Sequence, residues 1–457
     1  DATKMGGAET ISSTGFANSF STAMLKMAKP FMDRVADKGR FANYDPNYLT
    51  RSKRLSSMFD SSDTHIVADK QAFEAWRTEI SAQPNQPTFI TECFHMTLLS
   101  LILQARTYRI YADVFERLAD MKRQQAALGG DHPNIDNMAR VKAILEDVIF
   151  APSHFQEAFL FWEMVGVWLA RVASTPDGQT ISGSTRFDPP QLPLPQTPPK
   201  AYQCLPEIIL ETYASFFMFA ALYWEKFSDQ VHTDIMNSLV TLLASPQYVK
   251  NPHIRVKMVQ VLTVLMPRNK GGRLQPTRLS PFDSNFVVSN LGPALTHLYC
   301  DVERTGSASQ FYDRLNARHE LSSILVFLWT DRPGHKEAIV SYWDLHPESF
   351  KSFADKLLND SIFLLDEGLS KLFESRGAQQ RLESGVSSES ERRELKETMD
   401  RAARQTVSYM VLLKESLRIF SMIALNHPRL FMNADMHERL ATSLNYCLYQ
   451  VHGPRRN

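Results

Sequence analysis

A chain of 457 residues with 44% hydrophobic and 22% charged side chains has the composition of a folded protein, and is too apolar for a disordered one. Fifty basic residues balance fifty acidic ones, which excludes general attraction to nucleic acid or an anionic membrane as the main activity and leaves only local patches. The longest uncharged apolar run, near Phe216–Trp224, is too short to span a bilayer, and no signal-peptide pattern opens the chain.

Residues 1–22 are rich in Gly, Ser and Thr without a clear period and are expected to be mostly mobile. Residues 1–85 as a whole read as a partly mobile, unassigned N-terminal segment. The start at Asp1, without an initiator Met, suggests an excised piece of something longer. From about Phe89 the pattern is helical almost to the end, and residues 86–173 make the first part of a helical core. Residues 174–200 interrupt it with seven prolines, including Pro189-Pro190 and Pro198-Pro199, together with Gly178 and Gly183. Such a stretch cannot hold a helix and reads as an extended loop, a stiff connector with little apolar area to bury. Pro195–Lys200 also fits a PxxPxK ligand pattern for aromatic-lined proline-binding domains, but the connector is the plainer reading.

Residues 201–457 form the remainder of the core. In Asp229–Ala244, Ile235, Leu239, Leu242 and Leu243 share one stripe, and Pro246 follows. In Asn251–Pro267, Asn251 is placed to cap a helix and Pro252 sits where a missing N–H costs nothing. Ile254, Met258, Val261, Leu262 and Leu265 then fall on one face. Neither stripe can be buried alone, so the two segments are expected to pair as an antiparallel hairpin. Phe311–Trp329 repeats the pattern with Leu321, Ile324, Leu325 and Leu328. Ser388–Leu425 repeats it over a longer span, with Ser388 and Glu391 at capping-box spacing. Strand signals are almost absent. Helix pairs recur about every 40 residues, the spacing of armadillo and HEAT units. The expected fold is therefore all-α, an elongated irregular α-solenoid of armadillo/HEAT-like repeats, with a compact helical bundle as the alternative.

Chemistry is sought in vain among the usual motifs. There is no GxxxxGK phosphate loop, no GxGxxG and no GxSxG elbow. His319-Glu320 begins like a zinc-protease motif, but Ser323 stands where the second histidine belongs. Glu92 and His95 have di-iron spacing without the second such pair that a site requires. No DDxxD cluster is present, and the adjacent acids Asp366-Glu367 point about 100° apart on a helix. Cys93, Cys204, Cys300 and Cys447 are scattered, with no CxxC pair, and read as buried small apolar residues in a reducing compartment. No catalytic, cofactor-binding or metal-ligating residue is expected, and no cofactor.

Five runs carry a more specific signal. FITECFHMTLLSL (Phe89–Leu101), LPEIILE (Leu205–Glu211), LVTLLASPQYVKNPHIRVKMVQVL (Leu239–Leu262), CDVERTGSASQFYDRLNARHELSSILVFLW (Cys300–Trp329) and NDSIFLLDEGLSKL (Asn359–Leu372) occur in that order. Together they resemble the core of the ubiquitin conjugation factor E4 family from roughly Phe89 to Val451, while the first 85 or so residues match nothing in it.

The resemblance implies a stack of armadillo-like helices serving a ubiquitin ligase that elongates chains on substrates already marked for proteasomal degradation, including degradation from the endoplasmic reticulum. It implies a ubiquitin-protein transferase of the RING/U-box type whose C-terminal U-box recruits a ubiquitin-conjugating enzyme without a covalent intermediate. The implied partners are that enzyme, ubiquitinated substrates, an AAA-type unfoldase (the valosin-containing protein) and ubiquitin-like-domain shuttle factors. Neither nucleic acid nor membrane insertion is implied, and the expected location is cytoplasm and nucleus. The U-box lies outside residues 1–457, so these residues alone are expected to be inactive, and no partner-binding residue can be carried over. Asp313, Arg314, Asn316 and Arg318 are expected to bind neighbouring helices rather than a ligand. The alternative function is a non-enzymatic helical-repeat adaptor.

Overall fold

The computed structural model describes residues 7–33, 43–52, 64–82, 86–128, 134–151, 153–181, 188–229, 232–267, 280–302, 310–385, 388–432 and 434–452. Sixteen α-helices and a few 3-10 turns make up the regular structure of these residues, so the fold is all-α as the periodicity requires. The one strand-like pairing among them is an isolated bridge between His65 and Pro206. The helices group into two units, residues 1–287 and 288–457.

The first unit contains α1 (Gly7–Asp33), α2 (Tyr48–Arg51), α3 (Lys70–Ser81), α4 (Phe89–Leu128), α5 (Ile135–Ile149), α6 (His154–Ser174), α7 (Lys200–Gln203), α8 (Ile208–Tyr223), α9 (Thr233–Leu243) and α10 (Pro252–Leu265). Two of these are apolar on nearly every side, as helices at the centre of a core must be. In α6, Phe155, Phe159, Trp162, Val165, Trp168 and Leu169 are all within 1% of complete burial, and α8 buries Ile209, Leu210, Tyr213, Phe216 and Phe217 as fully. Each such side chain contributes roughly 1.5–3 kcal/mol by leaving water. Aromatic edges add direction: the Phe159 and Phe217 rings meet at 5.4 Å and 89°, and Trp162 meets Tyr213 at 6.3 Å and 68°. Gly166 makes this approach possible, because a Cβ there would overlap the Tyr213 hydroxyl.

Three expectations are corrected here. From Gly7 onward the segment read as mobile is part of α1, which packs on α4 and α6. Its Ser21, Met24, Leu25 and Ala28 face inward, and the Ser21 and Thr22 hydroxyls turn back to the Asn18 carbonyl at 3.0 and 2.8 Å. Burial of one face outweighs the weak helix propensity of these Gly, Ser and Thr residues. Second, α9 and α10 are the helices expected, but they do not chiefly pair with each other. The α9 stripe packs against α6 and the α10 stripe against α8, because those two helices offer the larger apolar surfaces. The Asn251 cap is present, accepting from the His253 N–H at 2.9 Å, and all five predicted stripe residues of α10 are buried. Third, the proline-rich segment contributes to packing. Among its described residues between α6 and α7 none is helical, yet Ile181, Leu194, Pro198 and Pro199 are buried. The Leu194 N–H donates to Ser245 Oγ at 3.2 Å, and Asp177 receives the Lys200 N–H at 2.9 Å.

The second unit contains most of α11 (Asn285–Asp301), then α12 (Gln310–Asp331), α13 (Pro333–Leu345), α14 (Pro347–Glu383), α15 (Glu389–Asn426) and α16 (Ala434–His452). Helices α14 and α15 form an antiparallel hairpin, each about 55 Å long at 1.5 Å per residue. Leu364, Leu365 and Leu369 of α14 meet Tyr409 and Leu413 of α15, and Gly368 lets Met410 lie directly against the α14 backbone. Gly385, with φ +91°, ends α14 in the left-handed conformation that other residues resist. At the start of α15 the predicted capping box is not formed. Ser388 is the N-cap residue, but its side chain makes no cap hydrogen bond. The spacing alone does not fix the rotamer when both side chains lie in solvent.

Candidate functional site

None of the four cysteines is prepared for nucleophilic work. Cys93 and Cys204 are buried, Cys300 and Cys447 partly buried, and all are free thiols. Burial pushes each thiol above its ordinary value, with the Glu92 charge adding to it at Cys93 and the Asp366 charge at Cys447. Cys204 is pushed up to about 12. Such thiols stay protonated at neutral pH, and the protonated form does not attack.

His95, one of the histidines singled out by its spacing, is taken up by the core. His95 on α4 is wholly buried among Tyr48, Phe94 and Trp168, and its Nε2–H donates to the Asp45 carbonyl at 2.8 Å. Burial lowers its pKa to about 4, so the ring is neutral. Glu92, one turn away, is exposed, so the pair does not converge on a metal. On α12, His319, Glu320 and Ser323 are partly buried along the helix. Among the described residues, no three His, Cys, Asp or Glu side chains gather where a metal ion could be held. No helix among them is long and apolar enough to cross a membrane.

Two polar clamps do emerge, and of their members only Arg318 was expected from the sequence to bind neighbouring helices. In the first unit, Gln104 of α4 donates to Asn18 of α1 at 2.7 Å and to His154 Nε2 of α6 at 2.6 Å, while Tyr108 donates back to Gln104 at 3.0 Å. Thr22, whose hydroxyl donates to Asn18, accepts from His154 Nδ1 at 3.0 Å. Three helices are thereby locked in one register. In the second unit, Arg318 of α12 pairs with Asp360 of α14 and donates through Nε to the Tyr299 carbonyl of α11 at 3.2 Å. Its guanidinium lies 5.0 Å over the Tyr299 ring, and the Tyr299 hydroxyl completes the loop by donating to Asp360 at 3.0 Å. Burial, reinforced by the Asp360 charge, holds that hydroxyl well above its ordinary pKa.

Arg318 therefore binds neighbouring helices as expected. Asn316 is exposed, and the side chains of Asp313 and Arg314 lie outside the described residues. Asp366 is structural too: it accepts twice from the Tyr446 hydroxyl, at 2.7 and 2.8 Å, tying α14 to α16, and Glu367 beside it is partly buried. The PxxPxK segment is engaged within the fold. Lys200 reaches Glu79 at 2.9 Å and lies 4.9 Å over the Trp76 ring.

A cleft of about 610 Å³ opens where the chain at Thr64–Val67 runs beside the turn before α8. The Ile66 N–H donates to the Leu205 carbonyl and the Glu207 N–H to the Thr64 carbonyl, both at 2.9 Å. The cleft walls mix Asp69, Glu74 and Glu207 with Lys70, Arg77 and Lys250, and several of these charges are already engaged. Arg77 pairs with Glu74, and Lys250 donates to the Val67 carbonyl. Pro206, which cannot donate to a ladder, was the one sequence sign of this irregular pairing. The two clamps hold neighbouring helices at fixed positions.

A family model for the ubiquitin elongating factor core matches residues 2–457. The N-terminal segment thus belongs to the match, which corrects the expectation that residues 1–85 lie outside it. The chain is similar to the probable ubiquitin conjugation factor E4 of Arabidopsis thaliana, with 28% identity over 97% of this chain and 46% of that protein. It is similar to the E4 ubiquitin-protein ligase UFD2 of Saccharomyces cerevisiae, with 26% identity over 97% of this chain and 50% of that protein. It is similar also to the ubiquitin conjugation factor E4 of Schizosaccharomyces pombe, with 25% identity over 95% of this chain and 44% of that protein. The chain spans about half the length of these curated relatives. The family match runs across both helical units, and the chain belongs to the ubiquitin elongating factor core family.

Proposed function

We propose that this chain is the scaffold core of an E4-type ubiquitin ligase that elongates ubiquitin chains on substrates already ubiquitinated, directing them to the proteasome. The observation that carries the reading is the family match over residues 2–457, in a body whose four thiols are all held protonated. A ligase of the U-box class needs no thiol of its own. It holds a charged conjugating enzyme so that the thioester meets an acceptor lysine, and the gain in rate is one of proximity. A frame that lost its register would scatter that geometry, and the Gln104–His154 and Arg318–Asp360 clamps resist such loss.

In this reading the conjugating enzyme binds a U-box elsewhere in the full-length protein, and the partners are ubiquitinated substrates, an AAA-type unfoldase of the valosin-containing type and ubiquitin-like-domain shuttle factors. The setting is cytoplasm and nucleus. The test is a reconstituted reaction with charging enzyme, conjugating enzyme and a ubiquitin-fused substrate. Chain growth is expected at background with residues 1–457 and well above it with the full-length protein. Robust growth by residues 1–457, abolished by one Cys→Ala change, overturns the scaffold reading.

A further inference from the structure

Helix α15 buries one side and leaves a regular second side uncovered. Its inner residues Tyr409, Leu413, Ser416, Ile419 and Ile423 are buried, packed against α14 and α12. On the opposite side Arg404, Val407, Val411, Lys414, Arg418, Ser421 and Leu425 follow one another by alternating steps of three and four. That spacing keeps them on one line for about 32 Å and is the spacing by which a second helix is received. The aliphatic members are open to solvent: Val407 is 63% exposed, Val411 49% and Leu425 80%, with Leu417 beside the line at 48%. The charged members are all cations. The one carboxylate between Arg404 and Asn426 is Glu415, largely covered and 3.9 Å from Arg418. Lys336 of α13 adds a cation at the far end, 3.2 Å from Asn426 Oδ1.

We propose that this outer face of α15 is a docking surface for an acidic amphipathic helix of a partner protein. Charge complementarity selects that occupant. Lys414 and Arg418 stand in the middle of the stripe, between Val411 and Leu425, and whatever covers the aliphatics must also cover them. A facing helix can set Glu or Asp at the same level as each cation while its Leu or Ile residues meet Val407, Val411 and Leu425. A lipid surface would have to draw the same two cations into its apolar boundary, since the stripe does not place them at its flanks. A second copy of this face would set cation against cation.

The test uses the chain of residues 1–457 and a fluorescein-labelled synthetic helix of about 22 residues, long enough to follow the stripe. It carries Leu at three-four spacing flanked by Glu, and a second peptide carries Lys in place of Glu. Fluorescence anisotropy is expected to show saturable binding of the Glu peptide that weakens with added salt, and none of the Lys peptide. Val411→Asp should weaken it at least tenfold. The double change Lys414→Glu with Arg418→Glu should do the same and transfer binding to the Lys peptide. These positions are exposed, and an unchanged far-ultraviolet spectrum confirms that each variant is folded. Equal binding of both peptides, no binding of either, or indifference to the charge reversal overturns the proposal. So does sedimentation of the chain with phosphatidylserine vesicles that Val411→Asp abolishes, or a concentration-dependent dimer lost in that variant.

Discussion

The two units are both all-helical, yet they hold their helices by different chemistry. Around α6 and α8 the first unit stacks aromatic rings on almost every side, and its polar clamp at Gln104 and His154 uses neutral groups. The second unit spends its length on a two-helix hairpin and ties α11, α12 and α14 through a buried ion pair, Arg318 with Asp360. Neutral packing tolerates loss of one partner atom by atom, whereas a buried charge deprived of its counter-charge is costly at once. Each unit is therefore brittle in its own way: the first against loss of volume and against acid, the second against loss of a single carboxylate.

The largest effect is expected from Asp360→Ala. It removes the carboxylate that the Arg318 guanidinium and the Tyr299 hydroxyl share and should destabilise the second unit by about 3–5 kcal/mol. Urea unfolding reads this, and replacing Arg318 by Met and Asp360 by Leu together should recover most of it, since the pair's cost of desolvation vanishes with its attraction. A single change as mild as the double one would show that the guanidinium finds water.

Acid probes the first unit. The folded chain keeps His95 neutral while the unfolded chain binds the proton, so stability is full above pH 6.5 and is lost as pH falls through that value toward about 4. His154, also held down by burial, acts in the same direction. The His95 share is on the order of 3 kcal/mol. In His95→Gln, whose amide can still donate to Asp45, the urea midpoint should fall less between pH 7 and pH 5 than in the parent. Parallel pH profiles would mean that water reaches the ring.

The smallest effect separates two helix starts that look alike on paper. Asn251→Ala removes a formed cap and should cost about 1 kcal/mol, while Ser388→Ala removes none and should stay within about 0.5 kcal/mol. Thermal unfolding of both variants decides it.

These contrasts mark what the sequence could and could not disclose. The apolar stripe of α10 and its Asn251 cap were legible because both are local: the cap acts two residues away and the stripe repeats within one helix. The partners of α9 and α10 were not, since a stripe says that it must be covered and not by which surface. Helix α1 was hidden behind residues that are poor helix formers alone and become helical only when Leu25 and Ala28 are buried. The clamps were out of reach for a related reason. Arg318 and Asp360 lie 42 residues apart, and Thr22 and His154 132 apart, so no window of sequence contains either pair. Short motifs differ in this respect, because all their members lie within one window of sequence.

The shielding of the four thiols has a practical side. Maleimides and nitroxide reagents react with thiolate, and burial, by raising each native thiol, lowers the share of it that is ionised and reachable. A cysteine introduced at an exposed position such as Gln379 would therefore accept a fluorophore or spin label against a quiet background. A second label in the first unit would turn the doubly labelled protein, its native cysteines kept, into a molecular ruler, readable while a conjugating enzyme or a peptide is added.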